Sequence, residues 1–323
     1  MRIVMMGTGS FAVPTLRLLY ESDYEIVGLF TSPCCENRTR SKRATPMRDL
    51  ATEQGTPVFD PCNINAGEAT NLLLDLNADV FVVCDCRHIL SAETLCAAKY
   101  GGVNLHCSLL PKYRGAAPIN WAIYNGETET GVSVIHMTPK IDAGPLVMQS
   151  PPIPIGPDEN TEQLKSRLAD IGASYVIQSL DAIVSETVDP LPQDPSLASP
   201  ARKIRKEDGL IKWNRSATQI RNQWRAMQPW PKTFTFWHRT GADAPPQRLI
   251  LASLHVASED AAFTEPGTVV MAEGDRLLIE TGEGLLRVGE VQPAGKKLMP
   301  VEAFLRGYPI QAGDVFGAEI EKE

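Results

Sequence analysis

Long hydrophobic runs are missing from this 323-residue sequence. Its longest strings, such as Val80-Phe81-Val82-Val83, fall far short of the roughly 20 residues that a membrane helix needs. The apolar opening gives way at once to Gly7-Thr8-Gly9-Ser10, too short a run for the core of a signal peptide. Cysteine is also scarce: the chain has seven, all before position 108. An odd number confined to one third of a chain is not a disulfide framework, and the usual zinc spacings are absent. The expected compartment is therefore the reducing cytoplasm. Cys84-x-Cys86-x-His88 is the one arrangement that suggests a metal. It reads more simply as an alternating strand carried on from Val82-Val83, and no metal is expected. Glycine (24) and proline (25) are too scattered for a fibrous or low-complexity chain, and no internal repeat is visible.

Basic charge is in deficit overall, with 31 Lys and Arg against 39 Asp and Glu. The deficit is uneven. Residues 1–200 hold 14 basic against 23 acidic side chains, and residues 241–323 hold 7 against 14. Residues 201–240 reverse the sign, with 10 basic side chains against Glu207 and Asp208 alone. One concentrated basic segment in an acidic protein suggests either local recognition of a polyanion or a solvated linker. A second basic group, Arg38, Arg40, Lys42, Arg43 and Arg48, sits largely in a polar, non-periodic stretch that reads as a loop.

Short apolar runs at 2–6, 25–30, 57–59, 79–84 and 102–106 read as buried strands, with a further strand at 131–137. They alternate with helical patterns at 11–20, 46–55, 66–76, 117–124 and 161–185. Such alternation predicts an α/β domain built on a parallel sheet. Four prolines within 187–200 mark a linker and domain boundary. Beyond a helix at 216–227, strand-like runs at 233–237, 248–256, 267–271, 276–280 and 285–291 predict a small barrel.

Gly7-Thr8-Gly9-Ser10-Phe11-Ala12 fits a dinucleotide-binding turn between strand and helix. The second strand, however, ends Phe30-Thr31-Ser32-Pro33 without the acid that would hold a ribose. The glycines read equally well as scaffold, and no nicotinamide cofactor is expected. Asn104 and His106 share one face at the end of a predicted strand, where open α/β sheets place their sites. An amide donor beside an imidazole suits an oxyanion and a proton, although Asn-x-His alone reads by default as a structural pair. Asp142, at a turn after a strand, reads alone as a cap.

Taken together, Asn104-Leu105-His106, the run from Ser108-Leu109-Leu110-Pro111 through Lys112-Tyr113-Arg114-Gly115 to Asn120, and Asp142-Ala143-Gly144 resemble the methionyl-tRNA formyltransferase family. The opening from Met6 to Pro14, the Lys203-Ile204-Arg205-Lys206-Glu207-Asp208-Gly209 segment, Gln228-Pro229-Trp230-Pro231 and Gln292-Pro293-Ala294-Gly295 extend the likeness over nearly the whole chain. The resemblance implies a Rossmann-like formyltransferase domain (1–188), a linker (189–207) and a C-terminal OB-type, tRNA-binding barrel (208–323). It implies formyl transfer from 10-formyltetrahydrofolate to methionyl initiator tRNA, without a metal. It makes Asn104, His106 and Asp142 catalytic and sets Ser108, Leu109, Leu110 and Pro111 against the folate. With the charge pattern, it assigns Arg38, Arg40, Lys42, Arg43, Lys203, Arg205 and Lys206 to tRNA. Two segments depart from the family pattern: residues 31–43 keep basic side chains but lose its glycines, and Asp85-Cys86-Arg87 replaces Ala-Tyr-Gly. The alternatives are a folate-dependent formyltransferase acting on a nucleotide or sugar amine, and a non-catalytic RNA-binding relative. A monomer is expected, with no membrane partner.

Overall fold

A computed structural model describes residues 1–32, 45–240, 245–259 and 264–319. The chain divides into two compact units. The first comprises Met1–Pro118, Glu129–Pro154 and Gln163–Arg202; the second comprises Ile119–Thr128, Ile155–Glu162 and Lys203–Glu323.

The first unit opens on β1 (Arg2–Gly7), α1 (Val13–Glu21), β2 (Glu25–Phe30), α2 (Pro46–Glu53), β3 (Val58–Phe59), α3 (Gly67–Asp75), β4 (Val80–Cys84), α4 (Ala92–Leu95) and β5 (Gly102–His106). These five strands pair in parallel in the order β3-β2-β1-β4-β5. Their near-continuous apolar sequences follow from burial on both faces; β1 and β4 are almost wholly inaccessible. After α5 (Pro118–Tyr124) and the short strand β6 (Glu129–Thr130), β7 (Ser133–His136) and β8 (Leu146–Gln149) extend the sheet antiparallel beyond β5. β6 pairs separately with β9 (Ile153–Pro154). The 24-residue helix α6 (Thr161–Val184) then packs on the sheet, its Gly172 against Leu105 of β5.

Strand β4 stops at Cys84, which corrects the reading of an alternating strand through Cys86 and His88. Asp85 turns into the left-handed region (φ +52°) and ends the ladder. Its carboxylate fills the space where a Cβ on Gly9 would lie, and Lys165 meets it at 3.4 Å. The Gly7–Gly9 turn is thus shaped around a side chain of its own domain. Among the described residues there is no group of three or more His, Cys, Asp or Glu able to hold a metal ion, and no helix long and apolar enough to cross a membrane.

The second unit, after α7 (Ala217–Ala226), carries β10 (Phe234–His238), β11 (Gln247–Ser258), β12 (Val269–Glu273), β13 (Arg276–Glu280), β14 (Leu285–Pro293), β15 (Met299–Pro300), α8 (Val301–Gly307) and β16 (Val315–Gly317). The strands run in the order β12-β13-β14-β11-β10-β16. The sheet then closes on itself: Val269 N–H donates to Asp314 O (2.8 Å) and Phe316 N–H to Gly267 O (2.7 Å). The expected small barrel is therefore present, and closure leaves these strands no long open edge. Its interior holds Trp213, Ile220, Trp237, Leu249, Leu251, Leu277, Val288 and Phe304.

Candidate active site

The alternation of β5 settles which of its side chains face the site. Leu105 is taken by Gly172 of α6, so Asn104 and His106 point to the opposite face. His106 is only 5% exposed. Its Nε2 lies 2.9 Å from the Tyr113 carbonyl oxygen, and its Nδ1 lies 3.5 Å from Asp142 Oδ2. Both ring nitrogens thus face oxygens that only accept.

Asp142 comes from the turn between β7 and β8. It sits at φ +47°, a conformation that aspartate tolerates better than most residues. Asn104 Nδ2 donates to its Oδ1 at 3.2 Å, and the Gly115 N–H donates to its Oδ2 at 2.9 Å. The structure therefore brings together the three residues that the sequence singled out, with one carboxylate held between an amide, a backbone N–H and an imidazole. Close approach leaves no room for a side chain after it: a Cβ on Gly144 would overlap the His136 carbonyl oxygen.

The segment 108–111 follows β5 directly. Ser133 Oγ donates to Ser108 O (2.7 Å) and accepts from the Leu110 N–H (3.1 Å), while Gln149 Nε2 donates to Leu110 O (3.0 Å). Ser108 and Leu110 are buried and anchor the loop, whereas Leu109 and Pro111 remain partly exposed. Cys84, at the end of the neighbouring strand, is buried, which pushes its thiol up to about 12. A thiol held so far from ionisation does not act as a nucleophile near neutral pH.

Of the basic residues, Lys203, Arg205 and Lys206 are exposed at the start of the second unit's long segment. Asp208 accepts from the Arg205 N–H at 2.7 Å and caps the short helix Lys206–Gly209. Arg38, Arg40, Lys42 and Arg43 lie outside the described residues.

Several residues of the site were not singled out in the sequence. Tyr113, at φ +62°, offers His106 its carbonyl. Residues 191–201, in the stretch expected to be a linker, form a strap on the first unit. Leu191 exchanges both backbone hydrogen bonds with Leu146 (2.8 and 2.9 Å). Ser199 Oγ accepts from the Tyr113 N–H (2.9 Å), Ser199 O from the Arg114 N–H (2.8 Å), and Ala201 N–H donates to Arg114 O (2.6 Å). Prolines carried no hint of this, because a strap pinned by isolated bridges has no periodicity to read.

Residues 1–180 match the family model described as formyl transferase, and residues 203–309 match that of the formyl transferase C-terminal domain. A mainly parallel sheet with Asn and His on an interior strand and Asp on a neighbouring turn, followed by a small barrel, is in this chain the architecture of a two-domain formyl transferase. The methionyl-tRNA formyltransferase of Citrifermentans bemidjiense is 38% identical over 318 residues, covering 98% of this chain and 96% of that one. That of Bacillus subtilis is 36% identical over 323 residues, covering 99% of each. The chain belongs to the methionyl-tRNA formyltransferase family. The fold is shared more widely: an N-formyltransferase of Helicobacter canadensis, solved with folinic acid and dTDP-3-aminofucose, superposes with a TM-score of 0.67 at 17% identity, covering 90% of this chain and 98% of that one.

Proposed function

We propose that this chain transfers the formyl group of 10-formyltetrahydrofolate to the α-amino group of methionyl initiator tRNA, with Asn104, His106 and Asp142 as its catalytic residues. The observation that carries this reading is the shared Asp142 carboxylate, oriented at once by Asn104, Gly115 and His106. Family membership supports the substrates, and the geometry is consistent with the roles.

The co-substrate brings an activated formyl carbonyl, and attack by the amine places negative charge on its oxygen. Asn104 keeps a second amide hydrogen for that oxygen. His106 Nδ1, 3.5 Å from Asp142 and so beyond a close hydrogen bond, supplies the other donor. Asp142 takes the proton that the attacking amine loses, directly or through one water. Collapse then breaks the bond from the formyl carbon to N10, which takes up a proton as it leaves. Leu109 and Pro111 provide partly exposed apolar surface for the folate next to these donors in the chain. A formyl oxygen needs donors and a pterin needs apolar surface, so the residues present fit the co-substrate.

Within the 208–323 domain and the basic segment before it, Lys203, Arg205 and Lys206 bind tRNA phosphates, and Arg38, Arg40, Lys42 and Arg43 contribute from the first domain. Changing Lys203, Arg205 and Lys206 together to alanine is expected to weaken tRNA binding. Each lost phosphate contact should make the salt dependence of log K shallower by roughly 0.7–0.9. Titrations at several salt concentrations measure this; an unchanged slope would remove these residues from the tRNA surface, and folate binding should not move.

The reading as a whole is tested by formylation of methionyl initiator tRNA with 10-formyltetrahydrofolate, set against uncharged tRNA, free methionine and an amino-sugar nucleotide. Preference for the sugar nucleotide over the charged tRNA would overturn it.

A further inference from the structure

One fully satisfied polar side chain near the site belongs to none of the three residues above. Gln193, in the strap, uses every hydrogen-bonding valence of its amide. Its Nε2 donates to Asp142 O (2.9 Å) and Gly144 O (2.7 Å), so it grips the turn on both sides of Ala143. Its Oε1 accepts from Arg114 Nε (3.1 Å) and Nη2 (2.7 Å), a two-pronged, charge-assisted grip on the loop that carries Tyr113 and Gly115. Those two loops supply the oxygens that face both His106 nitrogens and the N–H that faces Asp142. Gln193 lies between the two segments that match the family models.

We infer that Gln193 is a positioning residue for formyl transfer: its amide locks the Asp142 turn to the Arg114 loop and so fixes the carboxylate against Asn104 and His106. The inference rests on the proposed catalytic role of Asp142. The chemistry demands an amide. A carboxylate in its place keeps Arg114 but loses both donations and faces two carbonyl oxygens; an ammonium gives the donations and loses Arg114; an aliphatic chain loses all four bonds. Asp142 is held at φ +47°, a conformation that persists only where its surroundings enforce it. Released from Gln193, the turn relaxes by a fraction of a bond length or more, and displacements near 1 Å cost about 10²-fold in rate.

The test uses the full-length protein in formylation of methionyl initiator tRNA, with Gln193→Leu and the equally sized Gln193→Glu made in wild-type and Asp142→Ala backgrounds. In the wild-type background each is expected to lower kcat by about 10- to 10²-fold, with KM for both substrates within about twofold. In single turnovers on the Asp142→Ala background each should cost less than about twofold, since the group it positions is gone. A structural role alone would predict equal losses in both backgrounds, and that result would overturn the inference. So would near-normal kcat in the Gln193→Glu protein, which keeps side-chain volume should Gln193→Leu fail to fold. If Asp142→Ala is slow while both Gln193 variants are fast, only the Gln193 inference falls. If Asp142→Ala itself is fast, the assignment of the site falls with it.

Discussion

Replacing His106 or Asp142 with alanine is expected to lower kcat by about 10²–10³-fold, with tRNA affinity little changed. Loss of His106 removes the proposed oxyanion donor and also strands the Tyr113 carbonyl, which faces Nε2 at 2.9 Å. Loss of Asp142 removes the proposed proton acceptor and leaves the Asn104 amide and the Gly115 N–H without the carboxylate that accepts from them. Asn104→Ala should be similar in sign and smaller, because the carboxylate keeps its other partners. Steady-state kinetics with both substrates varied separates these effects: a fall in kcat at near-constant KM indicates a transition-state role. Near-normal kcat in a folded His106→Ala protein would remove that residue from the chemistry.

Gly115→Ala is expected to be nearly as damaging without deleting any functional group. Gly115 sits at φ +127°, a region that L side chains rarely adopt. An added Cβ would stand 2.5 Å from the Ala201 carbonyl oxygen and 3.0 Å from its carbon. Both are backbone atoms of the strap, which cannot swing aside as a side-chain tip can. The substitution therefore forces either the strap or the Arg114 loop to move, and the N–H that holds Asp142 moves with it. A kcat reduced by about 10²-fold is expected, together with a stability loss of about 1–3 kcal/mol. Kinetics combined with thermal unfolding check both halves. A protein with normal kcat and a lowered Tm would show that the Gly115 N–H does not orient the carboxylate.

Much of this was readable in the residues, for reasons that also explain the failures. The parallel strands declared themselves because burial on both faces demands unbroken apolar runs, as in Val80-Phe81-Val82-Val83. Asn104 and His106 declared a shared face because a strand alternates. The barrel strands were placed to within a few residues by their turns, but closure through residues 267–269 and β16 was not foreseen, since β16 is three residues long. The end of β4 was missed because nothing in Cys84-Asp85-Cys86 announces a positive φ at Asp85. Gln193 was invisible for a deeper reason. Its importance lies wholly in partners 49, 51 and 79 positions away, and prolines around it argued for a passive connection.

The strap also sets a schedule. As the chain leaves the ribosome from its N-terminus, Asn104, His106 and Asp142 are all made before α6 and the strap. Tyr113, Arg114 and the Asp142 turn lack their hydrogen bonds to the strap until Gln193, Ser199 and Ala201 have emerged. A fragment that ends where the first family match ends, at residue 180, contains every proposed catalytic side chain and none of the strap. Cutting there would yield a sheet with an unassembled centre, whereas a cut after Arg202 retains the whole first unit. Chimeras that join this catalytic half to a different C-terminal module should therefore place the junction beyond residue 202, so that the segment crossing to the new module is not the one that holds the old site together.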